Sequence, residues 1–496
     1  MRKSKIFISM MLITVMTIGM TTGCGRKTAS TEGYIQVYET TGTKSKLMSR
    51  ESDLTFADVD DTSVNTIISV DETQIKQEVE GFGGALTHSA AYVLSNMKEE
   101  DRREVLETLY GAENGAAFNL VRVPIGASDY TTYIDGEMQY FSLDDMPEGQ
   151  TDENLEHFTI KYDKQELIPM LKEILKINPD AEIIAASWSA PAWMKESKVL
   201  NRGSLSQDCE ELYAEYLVKY VQSYKKEGIN IKYLSVQNEP MVDNMRYPVM
   251  AMDEFQMARV IKYTGKKLEE AGFDTKILAY DHNYDSTVNT TVDDYAEAIL
   301  GDKDVAKYVA GMALHGYGTF QSADDFGQGF QVYNEKYDTK TFLTEIAEGT
   351  WSADFASNLS YSLENMILTP INYGSASTVY WNLALYDDGT PAMTTNDCLG
   401  VVNVSKEDSS ISKNSAYYAM AHISKYIHTE DGNAKVIACE SDNPEMLASA
   451  LLRADGHVVT VVTNLSDKYA NSVDVHYDEK CFTYEIQPQS VVTFVW

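Results

Sequence analysis

From residue 81 to about residue 426, short apolar runs of β type alternate with longer segments whose apolar residues recur every three or four positions. The short runs fall at 81–84, 118–125, 182–188, 231–237, 276–280, 309–315, 341–345 and 377–381. The longer segments at 164–177, 210–227, 252–271 and 358–368 each carry one apolar stripe, such as Leu167, Met170, Leu171, Ile174 and Leu175. Repeated strand–helix units build a parallel sheet, and eight strands suffice to close it. The pattern therefore predicts an α/β chain with a (β/α)8 barrel over 81–427, its ring completed by a helix at 414–427. Outside that span the period changes to two, as in Tyr34-Ile35-Gln36-Val37-Tyr38, Val458-Val459-Thr460-Val461-Val462 and Val491-Val492-Thr493-Phe494. Neither 34–80 nor 428–496 holds enough strands to bury a sandwich alone, so the two are expected to combine into one antiparallel β-sandwich beside the barrel.

The first 24 residues break both patterns. Arg2, Lys3 and Lys5 precede an apolar stretch from Ile6 to Met20, and Thr22-Gly23-Cys24 follows. That order is the one an export signal has, and the stretch is too short for a good membrane span. Cys24 after glycine reads as a bacterial lipoprotein site, with polar residues 25–33 as the tether; an ordinary secretory signal is the alternative. The expected location is therefore the cell surface, with membrane contact only through the lipid. Four cysteines remain, Cys209, Cys398, Cys439 and Cys481, with no Cys-x-x-Cys; Cys439 could pair with Cys481, or all four could stay as thiols. Lysine and arginine number 41 against 75 acidic residues, a formal charge of −34. Such a surface repels nucleic acid and favours a neutral substrate.

Candidate chemistry sits at the ends of the apolar runs, where a parallel barrel places its active site. Gln237-Asn238-Glu239-Pro240 follows the fourth run and Glu345 ends the seventh. Two carboxylates presented this way can cleave a glycosidic bond with retention, one delivering a proton and the other attacking the anomeric carbon. Arg122, inside the second run, needs a buried partner, for which Glu345 is a candidate. Trp188 and Trp381 end the third and eighth runs and offer faces on which a sugar stacks. His315 and Tyr317 end the sixth, where a phenol could hold a nucleophile's oxygen and an imidazole could tune charge. The eight histidines show no metal-ligand spacing, so neither metal nor cofactor is expected. No Gly-x-Ser-x-Gly elbow is found, and Gly81-Phe82-Gly83-Gly84 lacks dinucleotide-loop spacing.

Gly81-Phe82-Gly83-Gly84-Ala85-Leu86-Thr87, Asn119-Leu120-Val121-Arg122-Val123-Pro124, Ser187-Trp188-Ser189-Ala190-Pro191-Ala192-Trp193-Met194-Lys195, Gln237-Asn238-Glu239-Pro240 and Trp381-Asn382-Leu383-Ala384-Leu385 together resemble glycoside hydrolase family 30, particularly its glucosylceramidase-like branch. The resemblance implies a retaining β-glycosidase with Glu239 as acid/base and Glu345 as nucleophile. It also implies that Asn238 binds the 2-hydroxyl and that Asp129, Trp188, Trp381 and Asn396 contact the glycone. A neutral β-linked sugar, glucose first, is the expected substrate. A β-xylosidase, an endo-β-1,6-glucanase of the same family and a catalytically silent glycan-binding lipoprotein are the alternatives. His88 and the Thr344-Glu345-Ile346-Ala347 sequence depart from relatives and leave the sugar and aglycone open.

Overall fold

The computed structural model describes residues 33–60, 62–284, 290–318, 321–351, 354–394 and 397–496. The export segment with Cys24, the tether except Gly33, and Asn396 lie outside the described residues. Eight strands form a closed parallel barrel in chain order: β1 (Gly81–Ala85), β2 (Leu120–Ile125), β3 (Glu182–Ser187), β4 (Ile231–Ser235), β5 (Lys276–Asn283), β6 (Val309–His315), β7 (Lys340–Ile346) and β8 (Ser375–Tyr380). β8 returns to β1 with Ser377 opposite Gly81. Continuous apolar sequence is what strands buried on both faces require. Inward side chains, among them Leu120, Ile184, Tyr233, Leu278, Phe342 and Val379, plug the interior, while the outward ones pack under the helices. β1 approaches β2 so closely that a Cβ on Gly83 would lie 1.8 Å from the Leu120 carbonyl oxygen.

Two elements differ from the sequence expectation in ways that matter. β5 runs past Tyr280 to Asn283 because a bulge between Tyr280 and His282 shifts its register against β6. Tyr280 and Asp281 there adopt left-handed φ values of 74° and 54°. The helix expected over 358–368 is a composite: Phe355–Tyr361 is α-helical, Ser362–Leu368 winds more widely as a π-helix, and Thr369–Asn372 resumes the α form. Wide turns of this kind are rare and concentrate at functional sites; here the segment carries Ser362 onto the buried Glu348.

Both chain ends enter one sheet system. Tyr34–Thr40 pairs antiparallel with Ser490–Val495, and Thr66–Glu78 lies between Lys435–Ser441 and Asn471–Tyr477. The second of these pairings is parallel, a departure from the all-antiparallel expectation. Thr66–Glu78 leads directly into β1, so the barrel fixes its direction. The sandwich has its own core, including Val37, Ile68, Ile437, Val473 and Phe494. Val459, Val461 and Val491 instead join the barrel's core. Cys209, Cys398, Cys439 and Cys481 are all free thiols.

Candidate active site

The strand ends of β2, β4, β5, β6 and β7 converge on one buried charge network centred on Arg122. Its guanidinium is fully buried and donates through Nη1 to Glu345 Oε2 at 2.5 Å, and through Nη2 to Asn238 Oδ1 at 2.7 Å and Asp281 Oδ2 at 2.9 Å. Trp188 and Trp381 stack on each other, centroids 5.4 Å apart, and cover the guanidinium at 5.0 and 5.9 Å. A buried cation needs such enclosure: two carboxylates supply charge, an amide fills a further donor, and the indole faces add cation–π attraction.

Glu239 follows β4 in a left-handed conformation, φ 48°, which a non-glycine residue adopts only when its surroundings enforce it. The enforcement is visible: the Glu239 N–H donates to the Asp281 carbonyl at 2.9 Å, and the Asn238 N–H to that of Ser187 at 2.7 Å. Both bonds turn the Glu239 side chain into the mouth. Its Oε1 meets His315 Nδ1 at 3.2 Å, while His282 Nδ1 stands at 3.7 Å. His315 is clasped on its other side by Asp281 Oδ1, 3.1 Å from Nε2. Asp281 Oδ1 also accepts from Thr344 Oγ1 at 2.7 Å.

Ionisation follows from this packing. Burial opposes the charge on Asp281, yet Arg122 and His315 hold its carboxyl well below the ordinary range. An ionised Asp281 is an acceptor only, so His315 Nε2 carries a proton. Burial likewise disfavours a charged His315, but the Glu345 carboxylate and the bonds to Asp281 and Glu239 raise it to about 9. Burial would raise Glu239; the flanking imidazoles of His282 and His315 outweigh it and pull the carboxyl down. Burial raises Glu345, with His315 and Arg122 pulling against it. Asp129, after β2, is pushed up to about 8 by burial and by the charge of Glu345, so it is a neutral acid at pH 7.

Sequence reasoning named Glu239, Glu345, Arg122, His315, Asn238, Trp188, Trp381 and Asp129, and the fold gathers all of them at one mouth. Tyr317 stands at its rim, 40% exposed and edge-on to His315 at 6.3 Å. Its hydroxyl takes no hydrogen-bond partner among the described residues, so Arg122, not Tyr317, holds the Glu345 oxygen. His88 takes a structural contact: its Nε2 bonds Asp163 at 2.9 Å against the edge of Phe141. Asp281, His282, Thr344 and Tyr247 were not foreseen. The phenol of Tyr247 senses Glu239, Asp129 and Glu345 together. Only the bulge in β5 turns Asp281 and His282, adjacent in sequence, toward the same mouth; a regular strand would send them to opposite faces. The same bulge brings donor atoms of Glu239, His282 and His315 within 4.8 Å of one another, a convergence that histidine spacing does not announce.

The model of the glycosyl hydrolase family 30 TIM-barrel domain matches residues 79–427, and that of the family's β-sandwich domain matches residues 433–494. An endo-1,6-β-D-glucanase of Aspergillus fumigatus is 29% identical over 386 residues, 73% of each chain. The lysosomal acid glucosylceramidase of Mus musculus is 26% identical over 456 residues, 88% of this chain and 84% of that one. The solved structure of an endo-β1,6-glucanase, 28% identical, matches with a TM-score of 0.81 over 94% of this chain and 100% of the other. With most of its length inside both domain models, the chain belongs to glycosyl hydrolase family 30 and is an O-glycosyl hydrolase.

Proposed function

We propose that the protein hydrolyses β-linked glucosides with retention, Glu239 acting as acid/base and Glu345 as nucleophile. The observation that carries this reading is the joining of the two carboxyl groups through Arg122, Asp281 and His315 at one barrel mouth. Glu345 Oε2 is occupied by Arg122, leaving Oε1 to attack the anomeric carbon. His315 holds Glu239 Oε1, leaving the second oxygen, protonated from solvent, to face the leaving group. Formation of the glycosyl–Glu345 ester removes one negative charge beside Glu239. Its carboxyl is then held in the ionised form, the form that can take a proton from water. Asp129, protonated at neutral pH, can donate to a sugar hydroxyl, and Asn238, whose Oδ1 is engaged by Arg122, keeps its NH2 group to donate to the 2-hydroxyl.

Glucose is the sugar common to the glucosylceramidase and β-1,6-glucanase relatives, and internal cleavage of β-1,6-glucan is the second reading. It is favoured by the match to a solved endo-β1,6-glucanase over nearly the whole chain. We also infer export and lipidation at Cys24, from the basic, apolar and small-residue order that precedes it. Product release from nitrophenyl β-glucoside and from β-1,6-gluco-oligosaccharides, followed by anomeric-proton NMR, tests the reading. The β-anomer should form first, and Glu345→Gln should lose at least about three orders of magnitude in kcat. An α-anomer first, or near-native turnover in the variant, overturns it.

A further inference from the structure

We propose that Glu239, His282 and His315 form a binding site for a borderline divalent transition cation such as Zn2+, and that its occupation silences hydrolysis. The second clause rests on the role proposed for Glu239; the first does not. One donor atom from each residue lies within 4.8 Å of the others. Metal–nitrogen and metal–oxygen bonds of about 2.0–2.2 Å in a tetrahedral site place ligand atoms roughly 3.3–3.6 Å apart. Glu239 Oε1 to His315 Nδ1 is 3.2 Å and Glu239 Oε1 to His282 Nδ1 is 3.7 Å, so two edges of that triangle are already near the required length. The imidazole planes cross at 83° with centroids 6.5 Å apart, so the two rings approach Glu239 in different planes.

The independent observation is His282 itself. Its side chain is 8% exposed, and its Nδ1 is buried with no hydrogen-bond partner among the described residues. A buried ring nitrogen left unpaired is costly unless a ligand completes it. None of the proposed hydrolytic steps uses His282. Two imidazoles and one carboxylate are a donor set for Zn2+, Cu2+ or Ni2+, whereas Mg2+ and Ca2+ require mainly oxygen ligands. On binding, the cation replaces the proton shared by His315 Nδ1 and Glu239 Oε1, and that proton leaves to solvent. Glu239 then has neither a proton for the leaving group nor a free lone pair on Oε1.

The full chain, stripped with EDTA, is titrated with Zn2+ and separately with Mg2+ by calorimetry without substrate, beside His282→Gln. One Zn2+ per chain, no Mg2+ heat, and an affinity at least about tenfold weaker in His282→Gln are expected; removal of an outer-shell partner alone has that effect. Co2+ on the unmutated chain, read by visible absorption, provides a check that does not depend on the variant folding. Intense bands of a histidine-containing low-coordinate site are expected, and a weak octahedral spectrum overturns the proposal. Absence of Zn2+ binding, or equal binding by a folded His282→Gln variant, does the same. Hydrolysis of nitrophenyl β-glucoside should fall in step with occupancy and return with EDTA. Site-specific binding without inhibition upholds the metal site and overturns both its silencing effect and the role given to Glu239.

Discussion

Replacing Asp281 by asparagine separates its electrostatic work from its shape. Its Oδ2 accepts from Arg122 Nη2, and its Oδ1 accepts from both His315 Nε2 and Thr344 Oγ1. Asparagine has one acceptor oxygen and one NH2 group, so either orientation sets a donor against a donor. If the NH2 faces Arg122, the guanidinium loses a buried anion; if it faces His315, two donors are orphaned. Removing one partner of a buried ion pair costs about 3–5 kcal/mol. Asparagine keeps part of the hydrogen bonding, so a loss near the lower end, about 3 kcal/mol, is expected in urea unfolding. Catalysis should suffer through position and charge. Arg122 would lean more heavily on Glu345 and weaken it as a nucleophile, and His315 would lose the anchor that aims it at Glu239. Loss of one preorganised electrostatic partner typically costs about 10²–10³ in kcat. Asp281 donates nothing to substrate, so KM for nitrophenyl β-glucoside should change little. Thr344→Val serves as the comparison, since it removes one hydroxyl donor from Asp281 and should cost only about 1 kcal/mol. A kcat within threefold of the unmutated enzyme in folded Asp281→Asn would refute this account of the network.

Two further outcomes concern the scaffold. His422 lies at the barrel–sandwich junction, where Thr493 Oγ1 donates to its carbonyl and Thr40 Oγ1 accepts the Met48 N–H. That leaves Thr493 to accept from Nδ1; burial lowers the ring's pKa to about 3, so it is neutral and Nε2 accepts from Thr40. The folded state therefore binds fewer protons than the unfolded state between about pH 6.5 and 3, so its contribution is full above pH 6.5 and lost on acidification. The loss is about 2 kcal/mol by pH 5. Urea midpoints of the unmutated chain and His422→Gln should converge as pH falls from 7.5 to 5, and a constant gap contradicts the assignment. Gly83→Ala would put a methyl 1.8 Å from the Leu120 carbonyl oxygen and force β1 from β2. A loss of about 3 kcal/mol or more is expected, and an unchanged melting temperature counts against so tight an approach.

What was legible in the sequence was whatever a regular period announces. The eight barrel strands are buried on both faces and hence apolar throughout, and residues at their carboxyl ends, such as Glu239, Glu345, Trp188 and Trp381, could be placed from order alone. Asp281 and His282 were missed because a bulge is a local departure from period two that leaves no mark in composition. The second half of strand Thr66–Glu78, from Thr73 to Gln77, is mostly polar and exposed and reads as loop. Arg122 was expected to seek Glu345, but its bonds to Asn238 and Asp281 depend on three-dimensional convergence of strands up to 159 residues apart.

The roles assigned to the two glutamates follow from a difference between their partners. Glu345 leans on a guanidinium, whose charge is permanent at any pH the protein meets. A permanent cation cannot hand over a proton; it favours the anion and fixes one oxygen, which suits a group that must attack. Glu239 leans at 3.2 Å on an imidazole, whose charge, unlike a guanidinium's, depends on a proton that can be gained or lost. Such a partner suits a group that must be acid in one step and base in the next. Asp281 joins the two halves, since its two oxygens engage Arg122 and His315 separately. Exchange of the glutamates' roles would set the acid/base beside Arg122, whose permanent charge disfavours the protonated carboxyl.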